Sequence, residues 1–208
     1  MRLETYWLYL GAVVMLSCTP GPNVLYVTTR AIRFGFGAAM IGMSGCLLAL
    51  AVLLTASVAG VSAFMLAVPA AFELLKYAGA AYLVWLGIQA WRAPVADLAP
   101  AAASPRETTS RWSLFRGGFL VGISNPKLLV FAAAFFPQFI APDAPWAPQF
   151  LLLVATFVTI EACTYTMLGL SARSLARYLV QALWQRRINR VSGVIFVGFG
   201  CALLRYRP

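Results

Sequence analysis

Two short segments and one acid carry the residues able to do chemistry in this chain: Thr19-Pro20-Gly21-Pro22-Asn23, Ser124-Asn125-Pro126-Lys127, and Glu161. Both segments lie inside long apolar runs. Proline lacks an N–H and its ring clashes with the preceding turn, so two prolines flanking a glycine cannot continue a regular helix. In lipid such a break is tolerated only where the freed backbone groups face protein or a water-filled cavity. A zwitterionic or ionic solute fits such a cavity. Asn23 and Asn125 add amide donors and acceptors, and helix N-termini resuming after Pro22 and Pro126 point positive ends at a carboxylate. The candidate substrate-binding residues are therefore Thr19, Pro20, Gly21, Pro22, Asn23, Asn125, Pro126 and Lys127.

A charge near the bilayer centre costs from ~3 to more than 10 kcal/mol depending on the reference, so Lys127 needs a partner. Glu161, which lies at similar depth in another apolar run, has two readings. It pairs with Lys127, or it carries a coupling proton, neutral when it faces the membrane interior and charged when hydrated. Glu73 and Lys76, one turn apart at a span end, read as an interfacial pair. The chain has no histidine, and Cys18, Cys46, Cys163 and Cys201 stand apart inside apolar runs, which argues against a zinc site or a disulfide framework. With no imidazole base, no pair of acids at hydrolytic spacing and no phosphate-binding glycine loop, neither an enzyme nor a cofactor is expected. Efflux of a metal ion or another cation is the alternative to an organic solute, through Cys18 beside the first break with Cys46 and Cys163 on other helices.

The elements that must position these groups follow from hydropathy. Of 208 residues, 62% are hydrophobic and only 11% charged, far from the roughly 45–50% and 25% of soluble domains, so lipid must solvate most of the apolar surface. The net charge of +10 falls in clusters between apolar runs rather than along an aromatic-studded stripe, which fits membrane topology and not nucleic acid. Runs near 5–29, 36–61, 70–91, 115–140, 148–171 and 188–205 predict six transmembrane helices. The first is too long for a signal-peptide core and is expected to stay attached. A linker at 93–111, rich in Ala, Pro, Ser and Thr, separates a first three-helix repeat at 1–92 from a second at 112–208. Eleven arginines, from Arg30 and Arg33 to Arg186, Arg187 and Arg190, fall after spans one, three and five, against Arg2, Arg205 and Arg207 on the other side. By the positive-inside rule both termini lie outside.

Three helices per half force the halves to run in opposite directions, so the expected fold is an all-α integral membrane protein of two inverted three-helix repeats, with helices 1 and 4 broken. Interrupted helices at matching positions in two inverted halves point to a transporter binding site. Gly79, Tyr82 and Gly87 in the third span echo Gly193, Phe196 and Gly200 in the sixth. Gly118-x-x-x-Gly122 suits close helix approach, within the fold or across a homodimer. The tryptophans fall mostly near span ends, where indoles anchor at the headgroups.

These motifs resemble the lysine exporter (LysE/RhtB) family of amino-acid export proteins. The likeness rests on TPGPN at 19–23, NPK at 125–127, the stretch Gly79-Ala80-Ala81-Tyr82-Leu83-Val84-Trp85-Leu86-Gly87, and Phe135-Phe136-Pro137-Gln138-Phe139. The resemblance implies a secondary transporter in the inner membrane that exports amino acids or related small metabolites by proton antiport. It also implies functional roles for both motifs and for an acid in the fifth span, here Glu161. The partners are then an amino acid, protons and the lipid bilayer. One intramembrane acid against one lysine disfavours a dibasic substrate.

Overall fold

The structure is a computed structural model that describes residues 1–19, 21–67, 109–141 and 143–179, with scattered positions between 77 and 92 and between 186 and 201. Six α-helices and two tighter or wider turns form its continuous part: α1 (Leu3–Cys18), α2 (Pro22–Phe34), α3 (Phe36–Ala67), α4 (Arg111–Ile123), α5 (Pro126–Val130) and α6 (Trp146–Leu179). Between α5 and α6 the chain passes through a π-helical turn at Phe131–Phe135 and a 3₁₀ turn at Phe136–Phe139. No strand occurs among the described residues.

Among the described residues two helices contain segments long and apolar enough to cross a membrane, Phe36–Gly60 and Trp146–Ala172, and α1 with α2 qualifies as one span bent by 49°. At 1.5 Å per residue, 25 residues reach about 37 Å, more than the ~30 Å hydrocarbon core. Burial runs the way a lipid solvent demands. On α1 one stripe, Tyr9, Ala12, Val13 and Leu16, packs inward, while Leu3, Trp7, Leu8 and Met15 are exposed. Trp7, Trp85, Trp91, Trp112 and Trp146 are each at least half exposed, as headgroup anchors would be.

The local sequence explains each boundary. Ser110 caps α4 by accepting from Ser113 N at 3.1 Å. Gly35 closes α2 at φ +87°, a left-handed conformation that lets α3 begin one residue later. The π-helical turn precedes Pro137, which has no N–H to bond a carbonyl one turn back.

Helix directions can be read from the contacts. Gly42 and Cys46 on α3 meet Gly118, and Ala49 meets Gly122, so α3 and α4 run parallel at a crossing where glycines bring backbone onto backbone. The course of α1 and α2 is antiparallel to that of α4, α5 and the turns after it: Tyr26 donates to Leu114 O at 2.7 Å, Lys127 reaches Leu16 and Thr19, and Tyr9 packs on Phe136 and Phe139.

The helices outrun the spans expected from hydropathy. The first span continues to Phe34, α3 to Ala67, α4 starts at Arg111, and α6 reaches Leu179, so the backbone at Arg173 and Arg177 is helix rather than loop. Most of the third and sixth spans, including Gly79, Tyr82, Phe196, Gly200, Glu73 and Lys76, and most of the linker lie outside the described residues. Gly87 and Gly193 are described, and they face each other so closely that a Cβ on either would stand 2.7 Å from the other's carbonyl oxygen.

Candidate functional site

The two breaks meet. α1 ends at Cys18 and α2 resumes at Pro22, while α4 ends at Ile123 and α5 resumes at Pro126, and the antiparallel packing of the two helix pairs brings the interruptions together. Pro22 and Pro126 each open the new helix, where a missing N–H costs nothing.

Lys127 joins them. Its ammonium is buried and donates to Leu16 O at 2.7 Å and Thr19 O at 3.1 Å, two carbonyls at the end of α1. Leu16 O also accepts from Thr19 N at 3.2 Å, and the C-terminal end of a helix is its negative pole, so the cation is placed where backbone chemistry favours it. Gly21 lies beside the ammonium, where a Cβ would stand in ordinary contact at 3.7 Å from Nζ. Between Lys127 and Glu161 no direct ion pair forms among the described residues. The lysine takes helix-end carbonyls instead of the acid that sequence reasoning offered as one partner.

Asn125 sits between, fully buried, and caps α5 by accepting from Lys127 N with Oδ1 at 3.1 Å. Its Nδ2 has no partner. Asn23, in the first turn of α2, is 2% exposed and donates from Nδ2 to the Tyr165 hydroxyl at 3.1 Å, while its Oδ1 is unpaired. Tyr165 is the residue that sequence reasoning missed. Its only signal was its spacing of four from Glu161, one helical turn along α6.

Glu161 is 1% exposed, and neither carboxyl oxygen makes a well-formed hydrogen bond, with the Tyr165 hydroxyl near enough to interact with the carboxyl. It lies within electrostatic reach of Lys127 on α5, Cys46 on α3 and Tyr165 on its own helix. Thr19 turns inward onto its own helix, its hydroxyl donating to Met15 O at 2.8 Å. Of the predicted residues, Thr19, Gly21, Pro22, Asn23, Asn125, Pro126 and Lys127 gather at the two breaks, Glu161 faces them from α6, and Pro20 lies outside the described residues. Among the described residues no three of His, Cys, Asp and Glu come together as a metal site.

Beyond the lysine the core turns aromatic. Tyr9, Phe131, Phe135, Phe136 and Phe157 pack with ring centroids 5.1–6.2 Å apart, and Tyr9 donates to Leu153 O at 2.8 Å.

Apolar spans enclosing buried polar breaks define the class as a helical membrane protein with a polar centre. The chain belongs to the LysE type translocator family, whose sequence signature covers residues 14–207. It is 34% identical over 208 residues to the homoserine/homoserine lactone efflux protein of Salmonella typhimurium, covering 100% of this chain and 99% of the relative. It is 35% identical over 204 residues to an uncharacterized membrane protein of Vibrio cholerae, covering 98% of each. To the leucine efflux protein of Salmonella choleraesuis it is 29% identical over 201 residues, covering 95% of this chain and 93% of the relative. No solved structure matches.

Proposed function

We propose that this protein is a secondary transporter that exports amino acids or related small metabolites across the inner membrane by proton antiport. The observation that carries the reading is the meeting of two helix breaks around buried, unpaired polar groups, Asn23 Oδ1, Asn125 Nδ2 and both Glu161 oxygens. Groups of this kind have no packing role in lipid and are a liability unless a solute or water completes them. The names of the relatives agree, since homoserine, its lactone and leucine are small molecules bearing an α-amino group and no charged side chain. An amide, a phenol and an ammonium around one carboxyl suit such a molecule better than the metal-ion alternative, which calls for clustered thiolates, imidazoles or carboxylates.

The proposed architecture is six spans in two inverted halves with both termini outside. The antiparallel first and fourth spans support it. So does the parallel course of α3 and α4, because a chain that leaves α3 at one end and enters α4 at the other must recross the same depth in between. The described positions between 77 and 92 are helical. Glu161 is the proposed proton-exchanging group. One proton moving down about 100 mV releases ~2.3 kcal/mol, enough to hold a gradient of about 50-fold.

The test is uptake of pooled, isotopically labelled amino acids into energised everted vesicles, with and without an uncoupler, for wild type and Asn125→Ala. Uptake that needs both the gradient and Asn125 is expected. Absence of uptake of every amino acid by wild-type protein shown to be folded in the membrane overturns the reading.

A further inference from the structure

The unpaired buried amide and carboxylate atoms at the breaks sort by hydrogen-bonding sign, while the unpaired Ser17 Oγ at the end of α1 and Thr28 Oγ1 on α2 are hydroxyls that take either role, and Arg30 Nε lies two turns along α2 from Pro22. On α2 and α6 the amide and carboxylate atoms are acceptors: Asn23 Oδ1, Glu161 Oε1 and Glu161 Oε2. On α5 they are donors: Asn125 Nδ2 and the third N–H of Lys127, whose other two go to Leu16 O and Thr19 O. Tyr165 ties the two acceptor residues into one unit, because it accepts from Asn23 and stands one turn from Glu161 on α6. An ammonium brings three N–H donors and no acceptor, and a carboxylate brings acceptors alone. The pattern is thus complementary to an α-amino head group in one orientation, ammonium toward Glu161 and Asn23, carboxylate toward Asn125 and Lys127.

Resting on the transporter reading above, we propose that Glu161 holds the ammonium group of the substrate directly, oriented by Asn23 and Tyr165, and that the coupling proton competes with this ammonium for the same carboxylate. Exchange then needs no second acid. Either a proton or a substrate cation occupies Glu161, and loading one releases the other. The free ammonium becomes the primary recognition element, and the carboxylate is read separately by the groups of α5.

The titratable and charged neighbours leave Glu161 in this role. Lys127 faces it from α5, but two of its three N–H groups are committed to backbone carbonyls and no direct ion pair forms. Cys46 of α3 donates to Gly118 O, and Tyr165 shares its own helix. On α2, Tyr26 donates to Leu114 O and Arg30 lies over the rings of Tyr26 and Phe34, both turned away toward other partners. Cys18 of α1 is exposed.

The experiment is exchange in proteoliposomes without a gradient, using labelled leucine and homoserine. For wild type the half-saturating concentration is expected to rise by up to about tenfold per unit fall in pH while the maximal rate holds, the signature of competition at one site. Leucinamide, which keeps the ammonium, should compete with leucine, and N-acetylleucine, which lacks it, should not. In Glu161→Gln the half-saturating concentration should rise at least about tenfold and lose its pH dependence. Wild-type affinity in Glu161→Gln, a pH effect on maximal rate alone, or competition by N-acetylleucine as strong as by leucine would each overturn the proposal. Because the analogue arm uses wild-type protein, it stands even if the variant does not fold. Failure of folded wild type to exchange either probe would overturn the transporter reading itself, a result distinct from the other three.

Discussion

Asn125 separates stability from recognition within one side chain, which makes it the sharpest point at which to test the site. Its Oδ1 caps α5 by accepting from Lys127 N, and its Nδ2, buried on the same amide, has no partner. Serine preserves the first role, because its hydroxyl caps helices about as well as an amide does, but it ends short of the Nδ2 position and carries no NH₂. Alanine removes both. Loss of the cap costs ~1 kcal/mol, within a range of about 0.5–2, which for a protein of this size lowers Tm by roughly 2–4 °C. Asn125→Ala should show that decrease in detergent, followed by tryptophan fluorescence, and Asn125→Ser should show little of it. Transport should not follow stability. A hydrogen bond to a charged carboxylate is worth about 1.5–3 kcal/mol, so both variants should raise the half-saturating concentration for leucine by ~10- to 150-fold while leaving that for leucinamide close to wild type. Wild-type affinity for leucine in Asn125→Ser would refute the assignment of Nδ2 to the substrate, and an unchanged Tm in Asn125→Ala would refute the capping argument.

Lys127→Met removes two charge-assisted hydrogen bonds of ~1.5–3 kcal/mol each but also the several kcal/mol spent in burying an ammonium, so Tm should shift by only a few degrees while uptake is lost. Retained uptake in vesicles would show that the lysine only fills space. Gly118→Val should abolish folding, because its Cβ would run into the carbonyl of Gly42 at the α3–α4 crossing, whereas Gly11→Ala, with nothing nearby, should be silent; the yield of monodisperse protein after extraction checks both. Gly35→Ala places a Cβ at φ +87° and should cost about 1–2 kcal/mol, read as a drop in Tm with transport intact at low temperature.

The breaks were legible in the sequence because their cause is local: proline and glycine disrupt a helix wherever they fall, and an apolar run shows that the disruption is in lipid. Both appear where the residues put them, after Cys18 and before Pro22 in one case and after Ile123 and before Pro126 in the other. The partner of Lys127 was not legible, because depth in the membrane ranks Glu161 and the end of α1 equally, and only the lateral packing of the first and fourth spans decides between them. Tyr165 was hidden for a different reason. In a chain that is 13% aromatic a single tyrosine carries little signal, and its role depends on Asn23 arriving from another helix. The π-helical turn at Phe131–Phe135 had a cue in Pro137, but one proline is equally compatible with a simple kink.

The way the two breaks satisfy each other also constrains how the protein can move. Each interruption exposes backbone groups that lipid cannot solvate, and at the end of α1 a side chain from the second break adds to the local bond from Thr19 N to Leu16 O. Lys127 is thus a mechanical tie as well as a charge: any rotation of α1 relative to α5 stretches two bonds to a buried ammonium before it disturbs the aromatic packing around Tyr9. A stretched ammonium needs new acceptors or water. The substrate carboxylate, placed by the inference above beside the third N–H, is such an acceptor. Binding would then lower the cost of the same motion that carries the solute across, whereas an unoccupied site would keep the tie closed. On this argument Lys127 couples movement to occupancy as well as reading the carboxylate, while Glu161 decides which cation occupies the site, and the pH dependence of exchange belongs to Glu161.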